Sequence, residues 1–273
     1  MRLNKYISET GMCSRREADE WIANGRVSIN GIKAQLGSQV EDGDEVMVDR
    51  QRIGAKPKSV YIMLNKPVGI TCTTERHIQG NIIDFVGHEK RIFPVGRLDK
   101  DSEGLILLTN NGDIINQLLR SENHHEKEYA VTVDKPVTEG FLKKMAEGVR
   151  ILDTVTKPCK IRQTGKNEFN IILTQGLNRQ IRRMCEVFSY TVRHLRRIRF
   201  VNLKLGGLKS GQWRNLTEAE LSKLMGTEYA RPKTLKVHSP VSTSTATQAQ
   251  PPRGQIQQTK KRQRNHSSTL KRV

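Results

Sequence analysis

A short stretch between two apolar runs carries acids at alternate positions: Asp99-Lys100-Asp101-Ser102-Glu103-Gly104. Oxygen ligands at positions 1, 3 and 5, followed by glycine at position 6, are typical of the start of an EF-hand calcium loop. That loop requires a glutamate at its twelfth position, and here the residue is Asn110. Downstream, the apolar run Leu105 to Leu108 suits a buried strand rather than a helix. The pattern therefore disfavours calcium and suggests that one of the acids is catalytic.

Two further features could take part in chemistry. One is Tyr129, on a strand with alternating apolar residues, and the other is a dense arginine segment. Residues 179 to 199 hold seven Arg, no Lys and one acid, Glu186. Arginine in preference to lysine suits bidentate phosphate contacts and stacking on exposed bases. The chain has no nucleophile-elbow serine, Walker loop or dinucleotide motif, and its seven histidines lack metal-ligand spacing. Residue types alone indicate an RNA-binding protein with one carboxylate as nucleophile or base.

The overall composition predicts a polyanionic partner. The formal net charge is +19 and the pI is about 10.0, and nucleic acid is the commonest polyanion. The four cysteines include no C-x-x-C pair, which argues against a zinc site or a disulfide framework and fits a reducing cytoplasm. No signal-peptide pattern opens the chain, and no apolar run is long enough for a membrane span. We therefore expect a cytoplasmic monomer without membrane contacts.

Charge is distributed unevenly along the chain. Residues 1 to 52 hold 8 basic and 9 acidic residues, residues 53 to 230 hold 29 and 19, and residues 231 to 273 hold 10 and none. The last segment is rich in Ser, Thr, Gln and Pro and cannot bury enough apolar surface to fold, so we predict a disordered basic tail with a weak, salt-sensitive attraction to phosphates. The predicted organisation is an N-terminal module over 1–50, a linker over 51–58, a catalytic domain over 59–230 and a tail over 231–273.

The first 50 residues predict two helices followed by a hairpin. Leu3 and Ile7 share one helical face. Ser14 and Glu17 have the spacing of a capping box at the start of a second helix. The dipeptide Asn30-Gly31 between alternating apolar residues is a strong hairpin signal. These elements are short enough to form one small module.

The N-terminal pattern RLNKYIS…G.CSRREAD..I..GRVSING, followed by GD.V.V, resembles the S4 domain, a small RNA-binding module. The likeness covers nearly all of the first 50 residues. In that family the two helices dock on structured RNA, and ordinary solvated surface charge is the alternative interpretation of the basic residues. The resemblance implies phosphate contacts from five of them: Arg2, Lys5, Arg15, Arg16 and Arg26.

The remainder of the chain mixes strands and helices without regular alternation. Tyr129, Val131 and Val133 alternate as in a half-buried strand, and Thr217 with Glu220 predicts a capping box for a final helix. We therefore predict an α+β protein: a small S4 RNA-binding domain followed by a catalytic domain with a mixed, largely antiparallel sheet flanked by helices.

Four motifs resemble the RsuA-type ribosomal pseudouridine synthases: GRLDKDSEGLILLTNNGD, KEYAVTV, QGLNRQIRRMCEVFSYTVRHLRRIR and LKSGQWRNLT. With the S4 domain, the likeness spans roughly residues 1 to 225. It implies isomerisation of uridine to pseudouridine without a metal or an organic cofactor. The pattern HEKEYAVTVDKPVT and the basic tail look most like a large-subunit enzyme of this family, which implies 23S rRNA as the partner, with tRNA as a further one.

The resemblance also implies roles for individual residues. Asp99 is the essential aspartate, and Arg182 pairs with it to keep it ionised and oriented. Tyr129 stacks on the detached uracil and serves proton transfer. Arg97 fills the gap left by the flipped base, whose removal from the helix costs a few kcal/mol. Two neighbouring arginines are expected to contact RNA: Arg179 and Arg183.

Two other functions stay open on the sequence alone. One is the same reaction on a uridine of tRNA or 16S rRNA, which only a change of RNA substrate would distinguish. The other is a non-catalytic S4-type RNA-binding factor in ribosome assembly. A pure binder has no use for an aspartate in an arginine-rich groove, and this favours the enzyme.

Overall fold

The computed structural model describes residues 1–119, 125–226 and 237–238. Within them the helices are α1 Leu3–Glu9, α2 Arg15–Ala23, α3 Ile82–Val86, α4 Asp113–Leu119, α5 Glu139–Glu147, α6 Gln180–Val187 and α7 Glu218–Met225. The strands are β1 Val27–Ile29, β2 Ile32–Lys33, β3 Val46–Val48, β4 Gln51–Arg52, β5 Tyr61–Lys66, β6 Phe93–Val95, β7 Glu103–Thr109, β8 Lys127–Val133, β9 Arg150–Ile151, β10 Thr154–Val155, β11 Lys160–Gly165, β12 Glu168–Leu173, β13 Val192–Phe200, β14 Leu203–Lys204, β15 Trp213–Asn215 and β16 Val237–His238.

The N-terminal module packs α1 and α2 against a four-stranded sheet of order β2-β1-β3-β4. The predicted capping box is confirmed, because the Glu17 N–H donates to Ser14 Oγ at 3.2 Å and the Ser14 N–H donates to Glu17 Oε2. The predicted hairpin is also confirmed. Asn30 and Gly31 take positive φ angles of 50° and 79°, as a type I′ turn requires. A separate apolar core that includes Leu3, Ile7 and Ile22 holds this module together.

The second part of the chain is built on a mixed sheet of order β11-β12-β8-β13-β7-β5-β15-β16, with β14 added to β13 and β6 added to β7. Strands β13 and β7 run parallel, and the other pairings in the described part of this sheet are antiparallel. The predicted α+β class and the mixed, largely antiparallel sheet are therefore confirmed. A smaller two-stranded sheet pairs β9 with β10.

The middle of the sheet is covered on both faces. Along β7, Leu105 and Leu107 pack into one apolar cluster, whereas Ile106 and Leu108 pack into another. A strand with both faces covered needs an unbroken apolar run, because neither set of side chains meets water. The predicted buried strand at Leu105 to Leu108 is confirmed, and this rigid strand begins directly after the Asp99 loop.

Ion pairs join the N-terminal module to the larger part. Lys5 Nζ lies 2.6 Å from Asp113 Oδ1 at the start of α4, and Lys56 Nζ lies 3.0 Å from Glu9 Oε2. No helix among the described residues is long and apolar enough to cross a membrane. The domain boundaries at residues 50 and 59 stay predictions.

The predicted disordered tail over 231–273 lies outside the described residues except at Val237–His238. These two residues form β16 and pair with Trp213 and Arg214 of β15. The outer edge of β15 offers backbone hydrogen bonds to these two residues, and the disorder of the tail stays a prediction.

Candidate active site

Asp99 lies on the tight loop between β6 and β7. The Ser102 N–H donates to the Asp99 carbonyl at 3.1 Å and closes the loop into a turn. Leu98, only 7% exposed, anchors the loop in the core, and its N–H donates to Cys72 Sγ. The chain enters β7 at Glu103, where an EF-hand would continue as a loop. The geometry thus presents the Asp99 carboxylate, about one third exposed, from a rigid turn.

A buried lysine supports the neighbouring turn. Lys66 is fully buried, and its Nζ donates to the carbonyls of Pro67 and Ile70 at 2.8 and 2.9 Å. Burial lowers the pKa of Lys66, and nearby groups, Cys72 first and then Asp101, oppose that shift. The turn that follows Lys66 also contacts the Asp99 loop, because the Gly69 N–H donates to the Lys100 carbonyl at 2.8 Å.

The predicted pairing of Arg182 with Asp99 is wrong. Arg182 Nε lies 3.3 Å from Asp101 Oδ2, and its Nη2 donates to the Asp101 carbonyl at 2.9 Å. Its Nη1 donates to the Val192 carbonyl at 3.1 Å. Arg182 on α6 is only 7% exposed. Two backbone carbonyls fix its guanidinium, which reaches Asp101 and not Asp99. Arg182 therefore braces the Asp99 loop through Asp101.

The ion-pair partner of Asp99 is Arg179. Its Nη1 lies 3.8 Å from Asp99 Oδ2 and 3.1 Å from Asp101 Oδ1. Arg179 precedes α6 with a positive φ of 50°, which turns its side chain toward the loop. The sequence predicted Arg179 as an RNA contact, and Asp101 was not among the predicted site residues. The signal for Asp101 was its position two residues beyond Asp99 on the same turn.

Tyr129 reaches the site from β8 at the centre of the sheet. It stands opposite Ile171 of β12 and Arg197 of β13. Its half-buried ring packs against apolar clusters on both sides, which fixes its orientation. Two strands hydrogen-bonded to β8 thus hold the tyrosine in place.

A cavity of about 550 Å³ brings these elements together. Asp99, Arg97 and Arg179 line it together with Tyr129 of β8. Arg97 is exposed at the rim and also lines a larger groove of about 1250 Å³. This volume admits one nucleoside-sized group, with an arginine at the entrance, a carboxylate on a loop and an aromatic ring on the sheet. Two cations on the cavity wall were missed by sequence reasoning: Lys127 and Arg197.

The predicted RNA contacts fall into two groups. Arg15 and Arg16, both exposed, line the larger groove together with Arg97. Lys5 and Arg26 instead form ion pairs within the protein. Arg26 Nε donates to Asp49 Oδ1 at 2.9 Å, and its guanidinium lies 4.8 Å from the Trp21 ring centroid. Two further predicted contacts differ in exposure. Arg2 is exposed, whereas Arg183 is half-buried and its Nε donates to the Asn178 carbonyl.

Metal ligation finds no support in the part of the chain that the structure describes. No three His, Cys, Asp or Glu side chains there are grouped so that they could hold an ion. The four cysteines are free thiols at scattered positions. Burial raises the pKa of the Cys185 thiol to about 12 and of Cys159 to about 11, so both stay protonated and inert as nucleophiles.

Comparisons with known proteins match both parts of the chain. The sequence model of RNA pseudouridylate synthase matches residues 60–187, and that of the S4 domain matches residues 1–46. The dual-specificity RNA pseudouridine synthase RluF of Escherichia coli K12 is 53% identical over 254 residues, covering 88% of each chain. The ribosomal large subunit pseudouridine synthase B of Bacillus subtilis is 34% identical, covering 82% of this chain and 95% of its own. A crystal structure of a pseudouridylate synthase superposes with a TM-score of 0.61 at 30% identity, covering 82% of this chain and 99% of that one.

Proposed function

The chain belongs to the RsuA-type RNA pseudouridine synthases, and from that premise we propose that it isomerises a specific uridine of 23S rRNA in the cytoplasm, acting as a monomer. The observation that carries the proposal is the Asp99 carboxylate on a rigid loop, ion-paired to Arg179 and lining one cavity with Tyr129. The choice of 23S rRNA rests on the HEKEYAVTVDKPVT pattern and is supported by the relative named for the large ribosomal subunit.

The reaction needs three changes at one nucleotide. The N1–C1′ bond breaks, the freed uracil rotates, and C5 bonds to C1′ while the C5 proton leaves and N1 gains one. The atoms balance, so no oxidant, reductant or second substrate is required. The target base must first leave its stack, at a cost of a few kcal/mol. A nucleoside-sized cavity with an open entrance suits such a flipped base.

The roles of the residues follow from their positions. Asp99 faces the sugar as the group on which glycosidic cleavage depends, in the way that carboxylates serve glycosidic chemistry. Arg179 orients the Asp99 carboxylate through their ion pair, and Arg182 fixes the loop through Asp101. Tyr129 stacks on the base and offers its hydroxyl for proton transfer at C5. Arg97, exposed at the entrance, occupies the gap in the RNA stack.

The N-terminal module supplies affinity and orientation. Arg15 and Arg16 line the groove that Arg97 also lines, so RNA held by the S4 helices lies next to the entrance of the cavity. Phosphate contacts of this kind position the RNA without reading its sequence. Because one relative is named dual-specificity, we include a second RNA, with tRNA first, among the substrates to be tested.

The test is a map of pseudouridines in 23S rRNA by carbodiimide treatment and primer extension. RNA comes from cells lacking the protein, with and without rescue by wild type, Asp99→Asn or Asp153→Asn. Asp153 is an exposed turn residue and serves as the matched acid control. We expect one missing stop that wild type and Asp153→Asn restore and Asp99→Asn does not, although Asp99→Asn still binds the RNA.

Two results would contradict the proposal. An unchanged 23S map would move the substrate to tRNA or 16S rRNA, which the same treatment then examines. Restoration of the stop by Asp99→Asn would remove Asp99 from the chemistry.

A further inference from the structure

The part of the cavity wall that is formed by β8 and β13 carries two cations, Lys127 and Arg197. Lys127 and Tyr129 are alternate residues of β8, and Arg197 of β13 stands directly opposite Tyr129. All three line the cavity. Side chains two residues apart on a strand share a face, so the lysine, the tyrosine and the arginine present one continuous surface to the cavity.

Arg197 is nearly completely buried, with 3% of its surface exposed. Its Nε donates to the Leu105 carbonyl at 2.6 Å, and its guanidinium lies 5.3 Å from the Phe200 ring centroid. Its Nη2 is buried and has no hydrogen-bond partner among the described residues. No carboxylate in that part of the chain forms an ion pair with it. A buried charge without an opposite partner is costly, so its retention next to a reaction site points to a ligand.

Lys127 is half-buried and, in the part of the chain that the structure describes, also lacks a carboxylate partner. Its Nζ makes a long contact of 3.4 Å to the His125 carbonyl, and within the described residues it forms no ion pair. Burial lowers the pKa of Lys127, and the charge of Arg197 lowers it further. The two cations therefore repel one another across a wall that lacks an acid, and an anion between them would relieve both.

The reaction produces such an anion at this position. When the N1–C1′ bond breaks, its electron pair remains on the uracil, whose negative charge spreads over N1, O2 and O4, and C1′ is left electron-deficient beside Asp99. We propose that Lys127 and Arg197 stabilise the detached uracil as an anion while it rotates against Tyr129. This inference rests on the proposed reaction and adds two catalytic residues to it. When C5 then bonds to C1′, the charge returns to the new bond, and the cations lose their partner.

A phosphate of the RNA backbone is the other anion that could reach this surface. It suits the wall poorly, because a phosphodiester keeps its solvent shell, whereas Arg197 is only 3% exposed. The exposed arginines at the entrance and in the larger groove are better placed for phosphates. A flipped uracil lying on Tyr129 brings its carbonyl oxygens to the wall instead.

The first experiment removes each charge with little change in size. Arg197→Met and Lys127→Met are compared with wild type in single-turnover conversion of a 23S rRNA fragment, with Arg162→Met and Lys143→Met, both exposed, as controls. We expect each wall variant to be slower by about 10²-fold, the usual effect of removing one preorganised electrostatic group. Affinity for the RNA stays unchanged, and Arg197→Lys recovers part of the rate. Weaker RNA binding at full single-turnover rate would assign the cations to phosphates and overturn the proposal.

A second measurement separates charge stabilisation from a structural role. 5-Fluorouracil leaves as a more stable anion than uracil, so its departure depends less on the wall cations. With RNA carrying 5-fluorouridine at the target, nucleoside chromatography follows the loss of the N-linked nucleoside. We expect the rate penalty of Arg197→Met and Lys127→Met to be at least threefold smaller than with uridine. Equal penalties on both substrates would refute anion stabilisation. Failure of the proposed function itself is recognised separately, because wild type would then convert neither RNA.

Discussion

Arg197 and Arg199 are two residues apart on β13, yet they lie in opposite electrostatic surroundings. On a regular strand they would share a face. The pairing of β13 with β8 is irregular between them, so Arg197 stands opposite Tyr129 whereas Arg199 stands opposite Glu128. Arg199 donates to Glu128 Oε2 and to Glu126 Oε2, each at 2.9 Å. One irregularity thus gives one arginine two carboxylates and the other none.

The difference shows how the same residue type serves two purposes on one strand. The carboxylates that neutralise Arg199 belong to Glu126, directly before β8, and Glu128, and we call this side of the strand the outer face; they alternate with Lys127 and Tyr129, which line the cavity. Charges on the outer face are balanced within the protein and contribute to stability. Charges on the cavity face lack a carboxylate partner in the described chain, which suits a surface that acts on a transient anion. We therefore expect an acid added to the cavity face to pair with the cations there, as Glu126 and Glu128 pair with Arg199.

Lys127→Glu adds such an acid and should have the largest effect on the rate of the reaction. The new carboxylate would pair with Arg197 and repel the uracil anion, so we expect single-turnover conversion to fall by about 10³-fold or more, beyond the loss in Lys127→Met. Stability should not fall, because a buried cation gains a partner. Single-turnover kinetics and urea unfolding measure the two quantities. A Lys127→Glu enzyme with the activity of Lys127→Met would show that the charge of the wall is irrelevant to the reaction.

Features set by near neighbours in the chain were predictable from the sequence. The Ser14 and Thr217 capping boxes are both present, and so is the Asn30-Gly31 hairpin. Each depends on residues at most three positions apart, so their side chains find one another wherever the segment lies. The class of the sheet followed from the absence of regular strand–helix alternation. The selection of Asp99 and Tyr129 came from the resemblance, since an acid in a turn or a tyrosine on a strand has many ordinary uses.

Pairings between distant segments were not predictable. Arg182 and Arg179 lie three positions apart on α6 and its N terminus, and only the docking of α6 decides which acid each reaches. The same holds for Arg197. Seven arginines lie between residues 179 and 199, and the irregularity in β13 that separates Arg197 from Arg199 leaves no mark in composition or period. The sequence therefore indicates that arginines are needed here, but it does not indicate which of them has no carboxylate partner.

Gly104→Ala tests whether the position of Arg197 is fixed by close backbone packing. A Cβ on Gly104 would lie 2.3 Å from the Arg197 carbonyl oxygen, and the residue has a φ of +106°. Strain at that φ and the displacement of β13 should together lower the free energy of unfolding by about 3 kcal/mol. The exposed Gly140 of α5 has nothing within 4 Å of the corresponding position, so Gly140→Ala should raise it by about 1 kcal/mol. Urea denaturation measures both, and two equal changes would show that the β7–β13 contact tolerates a side chain.

Glu126→Gln tests the balanced face and should have the smallest effect. The hydrogen bond from Arg199 lowers the pKa of Glu126 below its ordinary 4.5, and Lys160 at 3.3 Å acts in the same direction. Because Lys160 is exposed and the Glu126 side chain is about one third exposed, the pairs contribute only about 0.5 kcal/mol.

A carboxylate with a lowered folded-state pKa stabilises the protein above the unfolded pKa and loses that contribution as the pH falls through the folded pKa. The stability difference between wild type and Glu126→Gln should therefore be full at pH 7, begin to fall near pH 4.5 and vanish only below the lowered pKa of folded Glu126, while single-turnover conversion stays within about twofold. A difference that persists in acid would mean that Glu126 acts through packing. A large loss of activity would mean that the two faces of β13 are coupled. Arg199 would then influence the reaction as well as stability, although of the two arginines only Arg197 lines the cavity.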